Sequence, residues 1–295
     1  MPFITHRAAP LALALALCLP LHRVNAQQHI KALRSDGHST PLLVYPALGT
    51  HHSCAPLAII SHGAGGSENG YRYLAEAMAQ MGYTTIVMGH KESGLAALQK
   101  SILRHGLMPG IRALVANPQA EQARLLDVGA ALQWANSQCR APFRILLGHS
   151  MGAETVMLEA GAANIIGIPA PPALQDRFDA YVALSPEGPG VVFPQNAWRN
   201  IHKPMLILTG TRDQSLKGGP AARQIPWHGL PGTATRCQWM GVIDGATHFN
   251  FAGVGFGSNR VKALVTQTVA TFLSGVHRHS CVLPPHKNGM NLTAK

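Results

Sequence analysis

Gly148-His149-Ser150-Met151-Gly152 follows directly on the apolar run Ile145-Leu146-Leu147 and leads into a segment of helical character. A serine on a sharp turn from strand to helix needs tight backbone geometry on both sides. Glycines two residues before and after it relieve that crowding. The turn lifts the Ser150 hydroxyl above a sheet edge at a helix N-terminus, where developing negative charge is favoured. This spacing predicts a nucleophile, and the chemistry is acyl transfer through a covalent intermediate.

A serine hydroxyl is a weak nucleophile until a base takes its proton and an acid orients the base. Behind such a turn the acid is expected first and the histidine last, each just past the carboxyl end of a later strand. Asp213 lies in Thr209-Gly210-Thr211-Arg212-Asp213, after the apolar run Met205-Leu206-Ile207-Leu208, and His248 closes Asp244-Gly245-Ala246-Thr247-His248. Ser150, Asp213 and His248 are therefore the candidate triad. Glu187, in a turn rich in proline and glycine, and Asp244 compete for the acid role, with Asp213 preferred. Asp213 as a helix cap and His248 as a satisfied loop histidine are the plain structural alternatives.

Acyl transfer also needs donors aimed at the oxyanion of the tetrahedral intermediate. The backbone amide of Met151 is one candidate. The other comes from Ser61-His62-Gly63-Ala64-Gly65-Gly66, with Ala64 first and Gly65 second. His62 reads as a structural hydrogen-bonding residue rather than a second base. The loop has neither the lysine of a phosphate-binding loop nor dinucleotide-binding glycine spacing, which argues against a nucleotide site.

These residues need a scaffold. Short apolar runs at 42–45, 57–61, 84–88, 143–147, 180–184, 205–209 and 238–243 predict strands, several of them apolar throughout, as in a parallel sheet covered on both faces. Leu74, Met78 and Met81 recur at helical spacing and stop at Gly82. Leu125, Val128, Leu132 and Ala135 form a second stripe, and Val261, Leu264, Thr268 and Phe272 a third. The expected fold class is α/β, a mainly parallel twisted sheet flanked by helices.

The chain has 295 residues, 46% hydrophobic and 13% charged, enough for a sizeable core and far from the composition of disorder. Residues 1–26 read as a signal peptide: His6 and Arg7, an apolar segment from 10 to 21, and Val24-Asn25-Ala26 before the expected cleavage. Leu17 stands where a lipoprotein signal needs a small residue, so Cys18 is not read as a lipid anchor. Residues 27–295 form one expected catalytic domain, secreted or periplasmic, with no apolar run long enough to span a membrane. The formal charge of +11 is diffuse and lacks a Lys/Arg run, so no nucleic-acid partner is expected. His277-Arg278-His279-Ser280-Cys281 lacks a further ligand at metal-site spacing, and no metal is expected.

Together, Ser61-His62-Gly63-Ala64-Gly65-Gly66-Ser67, Met81-Gly82-Tyr83, Gly148-His149-Ser150-Met151-Gly152, Leu184-Ser185-Pro186-Glu187-Gly188-Pro189-Gly190, Thr209-Gly210-Thr211-Arg212-Asp213 and Gly245-Ala246-Thr247-His248-Phe249 resemble the α/β-hydrolase superfamily. Within it, the chain is similar to the serine-nucleophile dienelactone hydrolase-like branch, and to platelet-activating-factor acetylhydrolase-like and cutinase-like esterases. True dienelactone hydrolases carry a cysteine nucleophile where this chain has Ser150, so dienelactone is not the expected substrate. The resemblance implies an α/β-hydrolase fold and ester hydrolysis without a metal or organic cofactor. A peptidase or acyltransferase using the same triad, and a silent binding protein on the same fold, are the alternatives.

Without Cys18, four cysteines remain, Cys54, Cys139, Cys237 and Cys281, an even number in a chain read as exported. In the implied fold the strands that follow Cys54 and Cys139 are neighbours, while Cys281 returns after the last helix to the end where Cys237 opens its strand. Disulfides Cys54 to Cys139 and Cys237 to Cys281 are therefore expected, with buried free thiols as the alternative. The segment 160–179 is too short for a cap domain and implies an open cleft for short to medium acyl esters or polymer ends; Ile165, Ile166 and Ile168 could instead make it an apolar flap.

Overall fold

The computed structural model describes residues 1, 27–49, 54–169, 177–285 and 288–295. Apart from Met1, the expected signal peptide lies outside the described residues, as does 170–176 of the candidate cap.

Seven apolar runs become strands: β2 (Ser39–Tyr45), β3 (Leu57–Ser61), β4 (Thr84–Met88), β5 (Arg144–His149), β6 (Ala180–Leu184), β7 (Met205–Arg212) and β8 (Gln238–Thr247). Two further strands, β1 (Gln28–Leu33) and β9 (Met290–Ala294), close the edges. The order is β1-β2-β4-β3-β5-β6-β7-β8-β9. From β4 to β8 all neighbours are parallel, while β1, β2 and β9 pair antiparallel. The sheet is thus mixed but mainly parallel, as the apolar runs require.

The strands alternate their side chains between two cores. Ile59 and Leu146 face one, with residues of α3 (Leu107–Val115), α4 (Pro118–Gln138) and α5 (Met151–Glu159). Ala58, Ile60, Ile145 and Leu147 face the other, with α1 (Arg72–Gln80) and α7 (Ser258–His277). Each stripe seen in the sequence lies on one of these helices: Leu74 and Met78 on α1, Val128 and Leu132 on α4, and Val261 and Phe272 on α7, all buried. Asn117 caps α4 by accepting from the Ala120 amide at 2.9 Å, with Pro118 opening the first turn. Two more helices, α2 (Leu95–His105) and the short α6 (Ile225–His228), complete the set.

Winding reverses at β3, which lies between β4 and β5, so the loops leaving β3 and β5 diverge at the carboxyl edge of the sheet. Such a switch point is where an open α/β sheet offers a crevice. At the opposite end, Cys54 is joined to Cys139 and Cys237 to Cys281, with Cα atoms 5.6 and 5.0 Å apart. Both pairings are those the family resemblance implied. His277 packs on Phe143 and meets the Tyr83 hydroxyl at 2.8 Å, and among the described residues no cluster of three His, Cys, Asp or Glu side chains could hold a metal.

Candidate active site

Ser150 sits between the end of β5 and the start of α5 with φ 55° and ψ −126°, a conformation a side chain rarely adopts. The two flanking glycines are what permit it. A Cβ on Gly148 would lie 2.1 Å from the carbonyl oxygen of Gly152, and one on Gly152 would lie 2.0 Å from that of Ser61. The turn is held by the Ser150 amide donating to Leu184 O at 3.0 Å.

Ser150 Oγ lies 2.9 Å from His248 Nε2, and His248 Nδ1 lies 3.1 Å from Asp213 Oδ1. Three residues spread over 98 positions of sequence are thus brought into one line. The His248 side chain is 23% exposed, while that of Asp213 is fully buried. Asp213 Oδ2 accepts from Thr209 Oγ1 at 2.8 Å, and Arg223 Nε forms an ion pair with Oδ1 at 2.8 Å. Burial alone would push this carboxyl up. The hydrogen bond from His248 and the Arg223 charge outweigh it and hold Asp213 below the usual carboxylate range.

The competing carboxylates are occupied elsewhere. Glu187 accepts from Ser215 Oγ at 2.6 Å and from the Leu216 amide at 3.1 Å, and faces Arg223 Nη1 at 3.4 Å. Asp244 is exposed, and its backbone amide bonds Gly289 O.

On the other side of Ser150 runs the loop 61–66. Gly63 passes so near that a Cβ there would be 3.1 Å from the Ser150 Cβ. The Gly65 amide is taken by Ser93 O at 2.8 Å, while among the described residues neither the Ala64 nor the Met151 amide meets an acceptor. His62 is fully buried, accepts the His90 amide at its Nε2 at 3.0 Å, and is held neutral by burial.

Five neighbours of the site carry no role in the sequence motifs alone. Ser185, itself at φ 54°, places Oγ 2.7 Å from His248 Nδ1 and also hydrogen-bonds Asp213. Buried Arg223 donates to the carbonyls of Ser185, Pro186 and Gln214, stapling the turns after β6 and β7 together. Tyr71 accepts the Gly63 amide at 3.2 Å and meets His149 Nδ1 at 2.7 Å, and His149 Nε2 reaches the His248 carbonyl at 3.0 Å. The only signals for these were the position of Ser185 after a strand and of His149 inside the glycine-flanked turn. Arg223 and Tyr71 carried none. Asn250 fixes the His248 loop from below, accepting from the Thr247 amide at 2.9 Å and donating to Val254 O and Phe256 O.

A strained serine turn at the switch point of a mainly parallel sheet, with the His248 and Asp213 loops after later strands, fits an α/β-hydrolase fold. Solved structures agree. The chain is similar to Est1E from Butyrivibrio proteoclasticus, at 17% identity and a TM-score of 0.54, over 83% of this chain and 99% of that one. It is similar also to XC6422 from Xanthomonas campestris, described as an α/β serine hydrolase without a lid, at 16% identity and a TM-score of 0.52, over 88% and 98% of the two chains. Est1E with ferulic acid bound gives 16% identity and a TM-score of 0.57, over 82% and 99%. No family model and no curated protein sequence matches the chain.

Proposed function

We propose that the protein is an exported serine carboxylic-ester hydrolase. The alignment of Ser150 Oγ, His248 and Asp213 on a strained turn carries this reading. His248 takes the Ser150 proton as Oγ attacks the ester carbonyl, and Asp213 supports the imidazolium. The amides of Ala64 and Met151, without an acceptor among the described residues, hold the oxyanion, aided by the N-terminus of α5. Protonated His248 releases the alcohol, then activates water to free the acid and regenerate Ser150.

The substrate class is short to medium acyl esters. Phe249, directly after His248, and Val254 and Phe256 a few residues on are exposed and apolar. Within the segment 160–179, Ile168 is 6% exposed and packs into the core instead of lying open on the surface. Likeness to a serine hydrolase described as lidless and to an esterase holding ferulic acid adds support. Export is favoured by the signal-like residues 1–26 and by two disulfides, which persist in oxidising compartments.

The deciding experiment is turnover of p-nitrophenyl esters of graded chain length by the wild type and Ser150→Ala. Activity highest on short to medium chains and abolished in the folded variant is expected. Undiminished activity of Ser150→Ala would overturn the nucleophile. Activity confined to emulsified long-chain triglyceride would favour the flap.

A further inference from the structure

Beneath the 61–66 loop lies a second Ser-His-Asp alignment. Ser61 Oγ is 2.9 Å from His90 Nε2, and His90 Nδ1 is 2.8 Å from Asp127 Oδ2. The spacing matches that around Ser150, yet all three residues are buried, at 0%, 2% and 1% exposure. No substrate carbonyl can reach Ser61. Its oxygen also accepts a hydrogen bond from Arg124 Nη2 at 2.9 Å. Thr40 and Arg34 donate to the other oxygen of Asp127. This group is built to hold still.

What it holds is the loop carrying Ala64. Arg124, on α4 and fully buried, donates from Nη2 to His62 O as well as to Ser61 Oγ, and from Nη1 to Ser93 Oγ at 2.6 Å. Ser93 in turn fixes the Gly65 amide through its carbonyl. Both neighbours of the Ala64 peptide are thereby tied to one guanidinium. Its Nε donates to Thr155 Oγ1 at 2.7 Å, on the helix that begins with Met151. Burial costs this charge solvation, and Glu121, Asp127 and Glu154 offset that cost.

We propose that Arg124, backed by Ser61, His90 and Asp127, is a positioning residue that sets the distance between the Ala64 and Met151 amides. The proposal rests on the ester-hydrolase reading. Because an oxyanion exists only along the reaction path, misplacing its donors lowers kcat and leaves KM unchanged.

The test is steady-state hydrolysis of p-nitrophenyl acetate by Arg124→Lys and Ser61→Ala, with active sites titrated by a fluorophosphonate and folding checked by near-UV circular dichroism. Arg124→Lys is expected to lose about 100-fold in kcat per titrated site, and Ser61→Ala about 10-fold, the scale of a displaced oxyanion donor. KM should stay within about twofold, and the pH profile should keep its shape. A merely structural role would reduce the titratable fraction and leave kcat per site at the wild-type value. That result in folded protein overturns the proposal. If Arg124→Lys does not fold, Ser61→Ala and Ser93→Ala decide on the same criterion. A wild type that neither labels nor turns over removes the ester-hydrolase reading and the positioning role with it; an active wild type with unaffected variants removes only the latter.

Discussion

Ser150, His248 and Asp213 line up at the rim of the sheet with the His248 side chain 23% exposed, whereas Ser61, His90 and Asp127 line up at matching distances with the His90 side chain at 0%. Three physical differences separate them. Ser150 occupies a strained turn at a helix N-terminus, while Ser61 is the last residue of a regular strand with Arg124 on its oxygen. Asp213 is held below the usual carboxylate range, whereas burial pushes Asp127 up to about 6. Only the outer histidine has a path to solvent. Matching distances do not make the two serines alike; access, backbone geometry and the charge beside the hydroxyl set them apart.

The comparison is broken most directly at the two serines. Ser150→Ala should lower turnover of p-nitrophenyl acetate by about 10⁴-fold or more, and a fluorophosphonate should label Ser150 alone. Peptide mapping that found label on Ser61 would erase the distinction.

The two histidines should then separate activity from stability. His90→Ala strands Asp127 and Ser61 Oγ in the interior, and should cost about 2–4 kcal/mol in urea unfolding. His248→Ala, on the rim, should cost less than about 1 kcal/mol while removing turnover. Equal losses of stability would mean that the inner group has no special structural weight.

Neither alignment leans on the disulfides, which sit at the far ends of the strands. Full reduction should lower stability by about 2–4 kcal/mol per bond through the freed loops of 85 and 44 residues. Below the melting range, kcat should stay at its oxidised value. Loss of turnover in step with thiol release in protein still folded would show that the ends of the sheet are coupled.

The smallest effect concerns the acids next to Arg124. Burial raises Glu121 to about 7, and the neighbouring Glu154 lies above the usual range, chiefly through burial. A carboxyl with a folded value above its unfolded one binds more protons when folded, so stability falls as pH rises from about 4.5 toward 7. Glu121→Gln should flatten that slope and raise the melting temperature at pH 8 by a few degrees. An unchanged slope would place the titration elsewhere.

Much of the outer site could be read from the chain because each residue stands at a strand end: Ser150 after an apolar run, and Asp213 and His248 after two others. The inner group was illegible for the opposite reason. Glu121, Arg124 and Asp127 recur every third residue on α4, and such a polar stripe reads as a solvent face although all three are buried. Ser61 ends β3 and His90 lies just past β4, but nothing in the sequence says they pair. Strands β1 and β9 escaped because neither holds a continuous apolar run: Met290–Ala294 alternates apolar and polar residues, and Gln28–Leu33 opens on two polar ones. Helices α2 and α3 lacked a clear stripe, and no residue of α2 is buried.

The two antiparallel edge strands bear on how this chain could be rewired. With nine strands spaced about 4.8 Å apart, β1 and β9 lie on opposite margins, roughly 40 Å from each other across the sheet. A direct link from β1 to β9 would need at least about 12 extended residues. A shorter one would peel an edge strand from its neighbour. Fusion to a carrier at either margin leaves the carboxyl edge of the central strands, and with it Ser150, facing away from the junction.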